Sequence, residues 1–203
     1  MRTRKVNALA LTLRVPSASA VGMGARWYSA VALCLVVVGC GAGPAASATA
    51  RAEDSQGQFQ LVLELPRTDW HMSDSITGEA TLSFVGSGGA NVGAPADGPI
   101  GFEFVEVGGN RHMGPASDVA CAHYQVDAGQ PITSPIKKSG AFLPQDPNAD
   151  FYRWFLADQL VHLPAGDWTV SAVASFIDGW PCVKSASTAP EELQATVTVH
   201  VTP

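Results

Sequence analysis

From Thr169 to Phe176 apolar and polar positions alternate: Val170, Ala172 and Ala174 fall on one side, and Thr169, Ser171, Val173 and Ser175 on the other. Successive side chains of an extended chain point to opposite faces, so this pattern predicts a strand with one face buried. A turn, Leu163–Pro164–Ala165–Gly166–Asp167–Trp168, feeds it. Phe59–Leu65 alternates in the same way, with Phe59, Leu61, Leu63 and Leu65 on one face, and Pro66 ends it. Ile76–Val85 sets Ile76, Gly78, Ala80, Leu82 and Phe84 against Thr77, Glu79, Thr81 and Ser83. Ile100–Val107 places Phe102, Phe104 and Val107 inward, and Arg111–Met113 reads as a short return strand after the Gly108–Gly109–Asn110 turn. Val119–Val126 and Leu193–Val201 complete the set. Asp69–Asp74 reads as a loop, and so does Gly86–Gly98, which is too rich in Gly, Ala, Pro and Asn to pack. Gly129–Pro147 is loop punctuated by four prolines, with Ile136, Ala141 and Phe142 dipping inward. Phe151–Leu156 is aromatic and reads as a short helix or irregular segment packed on the strands, with Asp150 as its cap.

About seven short strands, turns roughly every ten residues and no long amphipathic helix predict an all-β, antiparallel sandwich. Leu163–Pro164–Ala165–Gly166–Asp167–Trp168 resembles the L-x-x-G-x-Tyr/Trp corner before the penultimate strand of immunoglobulin-like domains. The resemblance implies an immunoglobulin-like β-sandwich whose corner is closed by a hydrogen bond from the aromatic to nearby backbone. Trp168 would make that bond through its indole N–H, its one polar atom.

The N-terminus changes the picture of where the domain works. Arg2, Arg4, Lys5, Arg14 and Arg26 precede an apolar run over Trp27–Val38, and no acidic residue comes before Glu53. A basic stretch followed by about a dozen apolar residues is the order of a signal peptide, and the run is shorter than the ~20 residues of a comfortable membrane span. Met23–Gly24–Ala25–Arg26 with that run is a complete short signal peptide by itself, so Met23 reads as an alternative start. Val37–Val38–Gly39–Cys40 resembles the bacterial lipobox. The resemblance implies cleavage before Cys40, diacylglycerol on its thiol and attachment to a membrane; two or three acyl chains anchor stably at about 0.8 kcal/mol per buried CH₂. Without it the alternative is ordinary cleavage after Ala48 or Ala50 and a secreted protein. The expected organisation is a signal peptide over 1–39, the lipidated Cys40 with a flexible linker to 58, and one sandwich domain over 59–203.

Of the four cysteines, Cys34 lies in the leader and Cys40 is the lipid site, which leaves Cys121 and Cys182. An even pair in an oxidising compartment predicts one disulfide. It closes a loop of about 60 residues, worth roughly 4 kcal/mol in the chain-entropy picture. The bridge departs from the immunoglobulin-like pattern, because Cys182 follows the penultimate strand rather than lying in it. Removing the five leader cations from the 12 basic residues leaves seven against 18 acidic, a net charge of −11. That charge excludes nucleic acid and disfavours anionic lipid heads as partners.

His71, His112, His123, His162 and His200 are scattered, and no G-x-S-x-G or H-E-x-x-H motif occurs. Catalysis and bound cofactors are therefore not expected. His71–Met72 and His112–Met113 pair imidazole with thioether, a ligand set suited to Cu(I) as in periplasmic copper carriers. Neighbours on a strand face opposite ways, so such a site needs the two dipeptides to converge from loops. Asp146–Pro147–Asn148–Ala149–Asp150 opens like a calcium loop, but Phe151 and Ala157 stand where an EF-hand needs Gly and Glu. An Asn/Asp turn is expected instead. Trp70, Trp180, Tyr152 and Trp154 are the candidates for an exposed aromatic surface that binds an envelope protein or a glycan. The expected function is a lipid-anchored, extracytoplasmic binding or envelope-assembly domain without catalysis, and the alternative is a copper-binding protein.

Overall fold

The computed structural model describes residues 49–116, 120–179 and 191–203. The leader, Cys40, Cys182 and Trp180 lie outside these residues. Among them are eleven strands and one short helix. The first four strands are β1 (Ala50–Gln56), β2 (Phe59–Leu65), β3 (Asp69–His71) and β4 (Glu79–Phe84). Next come β5 (Gly89–Pro95), β6 (Ile100–Glu106), β7 (His112–Met113), β8 (Cys121–Asp127) and β9 (Ile132–Pro135). The helix α1 (Ala149–Phe155) precedes β10 (Gly166–Asp178) and β11 (Glu191–Thr202). The fold is all-β and sandwich-like. No helix of the described residues is long and apolar enough to cross a membrane.

One sheet runs β1-β2-β4-β9. The other is built on β10, which pairs with β11 along one edge; β6 takes most of its other edge and β5 the far end. The long alternation around Thr169–Phe176 is thus the central strand of the larger sheet. Phe59, Leu61, Leu63 and Leu65 of β2 and Ala80, Leu82 and Phe84 of β4 are buried against Phe102, Phe104, Val170, Ala172, Ala174 and Phe176. Phe59 meets Phe84 edge-on at 5.4 Å and Phe176 of the opposite layer at 4.7 Å. On the outer face Ser171 is also buried, its hydroxyl 2.8 Å from that of Thr196 on the neighbouring strand.

Four strands beyond the expected seven are present: β1, β3, β5 and β9. The strand β1 corrects the linker boundary, because the domain begins at Ala50 rather than at residue 59. Its apolar positions are only Ala50 and Ala52, and charges fill the outward ones. A weak hydrophobic signal therefore hides an edge strand held by pairing with all of β2. Gly57, at φ +59°, supplies the left-handed residue of the connecting two-residue turn. Asp54 accepts the backbone N–H of Gln194 at 2.8 Å, which joins β1 to β11 of the other sheet. The strand β5 corrects the Gly86–Gly98 loop: Val92 and Ala94 are buried and the segment pairs with the whole of β8. Small side chains weaken intrinsic strand preference, but pairing and burial decide the outcome. The strand β3 runs parallel to β11, so the sheets are not wholly antiparallel. Val107 is exposed rather than inward.

The helix covers one end of the sandwich. Phe155 is 5.4 Å from Phe104, and Phe151 stacks on Trp168 at 5.8 Å. Asn148, not Asp150, occupies the N-cap, and its side chain makes no cap bond. Its amide donates instead to the Asn110 carbonyl at 2.8 Å. Asp146 accepts the Asn148 backbone N–H at 2.9 Å, the expected Asx turn.

Candidate functional site

The corner before β10 closes as its sequence implies: Trp168 Nε1 donates to the Pro164 carbonyl at 2.9 Å. Arg111 covers this corner, its guanidinium 5.1 Å from the Trp168 ring and 5.5 Å from Phe151. Arg111 also grips Glu106 with two N–H groups, Nε at 2.8 Å and Nη2 to the second oxygen. Those bonds hold the Glu106 carboxyl below the usual carboxylate range, against the opposing effect of burial.

The C-terminal end of α1 borders a cleft of about 220 Å³ lined by Met72, Lys138, Trp154, Phe155, Asp158 and His162 among others. Lys138 is the floor; its side chain is 5% exposed. Its ammonium donates to the Phe155 carbonyl, a free acceptor at the helix end, and to Asp158 Oδ1 at 3.0 Å. It also lies 4.9 Å from the Phe155 ring. The bond from Lys138 is the main reason the Asp158 carboxyl is held low. Asp158 Oδ1 also accepts the Leu160 backbone N–H at 2.8 Å, so both bonds use one oxygen.

His162 Nδ1 is 3.1 Å from the Asp74 carbonyl oxygen. A carbonyl only accepts, so Nδ1 carries the proton and Nε2 of the neutral ring is an acceptor. Asp74 is itself fixed, taking the His71 backbone N–H at 3.1 Å and Arg67 Nη2 at 2.8 Å. The His71 bond is the first cause of its lowered carboxyl pKa. Among the described residues, no hydroxyl or thiol side chain lines the cleft.

The expected aromatic surface is divided. Trp154 is 48% exposed and stands at the cleft. Trp70 is a correction: it is 4% exposed, its indole donates to the Arg67 carbonyl at 3.2 Å, and the Arg67 guanidinium lies 4.1 Å from its ring. Pairing of β3 with β11 draws it into the core. Tyr152 is a second correction; it is 9% exposed, between Phe142 and Phe151 at 5.7 and 5.5 Å. It sits on the inner side of a helix turn whose outer side carries Trp154. Trp180 lies outside the described residues.

The two His–Met dipeptides do not converge. Across the larger sheet the order is β3, β11, β10, β6, β7, so His71 and His112 stand at opposite edges. Four strand spacings separate them by about 19 Å. Met113 is buried, and His112 Nε2 is 2.7 Å from Glu103 Oε1. Among the described residues no group of three or more His, Cys, Asp or Glu side chains is placed to hold a metal ion. Cys121 opens β8 and is not a free thiol. Cys182 lies outside the described residues.

Sequence reading missed Lys138, Asp158 and His162. They come from two separate segments, Lys138 after β9 and the other two between α1 and β10, joined by tertiary contact. A lysine between prolines and aromatics was the one available signal. No protein-family model matches the chain, and no curated protein matches it.

Proposed function

We propose that this protein is a lipid-anchored, extracytoplasmic binding domain without catalytic activity, attached through Cys40 and clipped by a Cys121–Cys182 disulfide. The order of basic stretch, apolar run and lipobox supports the anchor. The observation that carries the binding reading is the cleft: an exposed Trp154 indole beside the polar groups of Lys138, Asp158 and His162. Sites of this kind combine an apolar wall with a few positioned polar groups. Envelope extract added to the protein is expected to protect the segment 152–162 from hydrogen exchange, and to protect it less in Trp154→Ala. Equal exchange with and without extract ends the binding reading.

A soft-metal reading draws on one observation, that Met72 and His162 share the cleft. The Lys138 ammonium shares it too and repels a cation. Anaerobic titration with Cu(I) is expected to show no binding tighter than micromolar.

A further inference from the structure

We infer that the cleft takes a single neutral sugar ring, stacked on Trp154 and hydrogen-bonded through its hydroxyls to the polar floor; this rests on the binding reading above.

Three observations select that class. The first is the donor and acceptor pattern. Asp158 spends Oδ1 on Lys138 and Leu160, which leaves Oδ2 as an acceptor. His162 has Nδ1 committed to Asp74, which leaves Nε2 as a second acceptor. Lys138 directs N–H groups at Phe155 and Asp158 and so fixes that pattern. The two acceptors match the O–H donors of neighbouring hydroxyls.

The second is charge. The buried Lys138 and the exposed Asp158 neutralise each other at the cleft. The chain from Cys40 onward carries a net −11, from seven basic and 18 acidic residues, and repels anions. A cation meets the buried ammonium. A neutral ligand avoids both penalties.

The third is size and shape. About 220 Å³ is below the ~300–1,000 Å³ of pockets that enclose drug-sized ligands, so one ring fits and a longer chain must extend outside. Trp154, at 48% exposure, offers an open aromatic surface at the rim. The C–H groups on one side of a pyranose make such a surface a wall while its hydroxyls face the floor.

Saturation-transfer NMR on the full chain, extracted in detergent, tests this with methyl glycosides of glucose, galactose and mannose. At least one is expected to bind with a Kd of about 1–10 mM, the range open to a ligand of so few atoms. Trp154→Ala is expected to weaken it at least about tenfold, and His162→Ala severalfold, with circular dichroism unchanged. The matching disaccharide distinguishes a free sugar from a chain end: saturation confined to its terminal ring marks a chain end. Tetrahydropyran-2-methanol, a ring lacking the hydroxyl row, is expected not to bind. No transfer to any glycoside at about 50 mM, well above that range, overturns the inference, as does equal transfer in Trp154→Ala. If the hydroxyl-poor ring or indole binds at Trp154 while no glycoside does, the sugar class falls and the binding reading stands. If none of these probes binds and envelope extract gives no exchange protection, both fall.

Discussion

Trp168 donates its indole N–H to the Pro164 carbonyl at 2.9 Å and thereby closes the corner that starts the central strand. The ring is fully buried, stacked on Phe151 and 5.1 Å from the guanidinium of Arg111. Trp168→Phe keeps an aromatic ring but removes the donor and leaves a void. It is expected to cost about 1–3 kcal/mol. Thermal melting checks this; at about 2–4 °C per kcal/mol the fall in Tm is roughly 2–12 °C. An unchanged Tm would show that the corner is held by packing elsewhere.

Lys138 fastens the segment after β9 to the end of α1. Lys138→Met keeps the buried stem but takes the side-chain donor from the Phe155 carbonyl and leaves Asp158 with the Leu160 N–H. The expected loss is about 1–3 kcal/mol by denaturant unfolding. The Asp158 carboxyl, now held low chiefly by Lys138, is expected to titrate closer to an ordinary aspartate in the variant. Carboxyl-labelled NMR reads that shift directly.

Glu106 and Arg111 make stability sensitive to acid. The Glu106 carboxyl is depressed in the folded protein, chiefly by its hydrogen bonds from Arg111. Its contribution is therefore full above the unfolded carboxyl pKa of 4.5 and is lost as pH falls through the lower folded value. Glu106→Gln is expected to be less stable than the natural protein by about 1–3 kcal/mol at pH 7. The two should converge as pH falls below about 4. Urea unfolding at several pH values tests the convergence, and a constant gap contradicts it.

A chain shortened to begin at Phe59 lacks β1. It bares the β2 edge, where Val62 is buried, and loses the Asp54 link to Gln194. An exposed apolar edge invites pairing with other chains. Such a chain is expected to aggregate or melt well below one that begins at Thr49, as size-exclusion chromatography and melting would show.

Cys40→Ser is expected to move the protein out of the membrane fraction and abolish labelling by palmitate. Membrane retention in the variant would remove the anchor reading. Cys182→Ser is expected to cost up to about 4 kcal/mol.

Most strands legible in the sequence have large inward residues. Leu61, Leu63, Phe102, Phe104, Leu193 and Val199 mark their faces by alternation, and all are buried. Two that escaped notice, β1 and β5, carry mostly small or charged residues. Ala50 and Ala52 in β1, and Ala90 and Gly93 in β5, give alternation little contrast, and their partners β2, β8 and β10 impose the extended form. Trp168 was readable because its corner is local, four residues from its acceptor. The cleft was not, because Lys138, Asp158 and His162 bond to atoms up to 88 positions away.

Because β1 starts at Ala50, only nine residues separate it from Cys40. Drawn straight, nine residues reach about 30 Å. If Cys40 carries lipid as proposed, the domain would hang on a leash no longer than a bilayer's oily interior is thick. It would then work among headgroups and the first molecules above them, and whatever it engages would have to come down to the membrane surface.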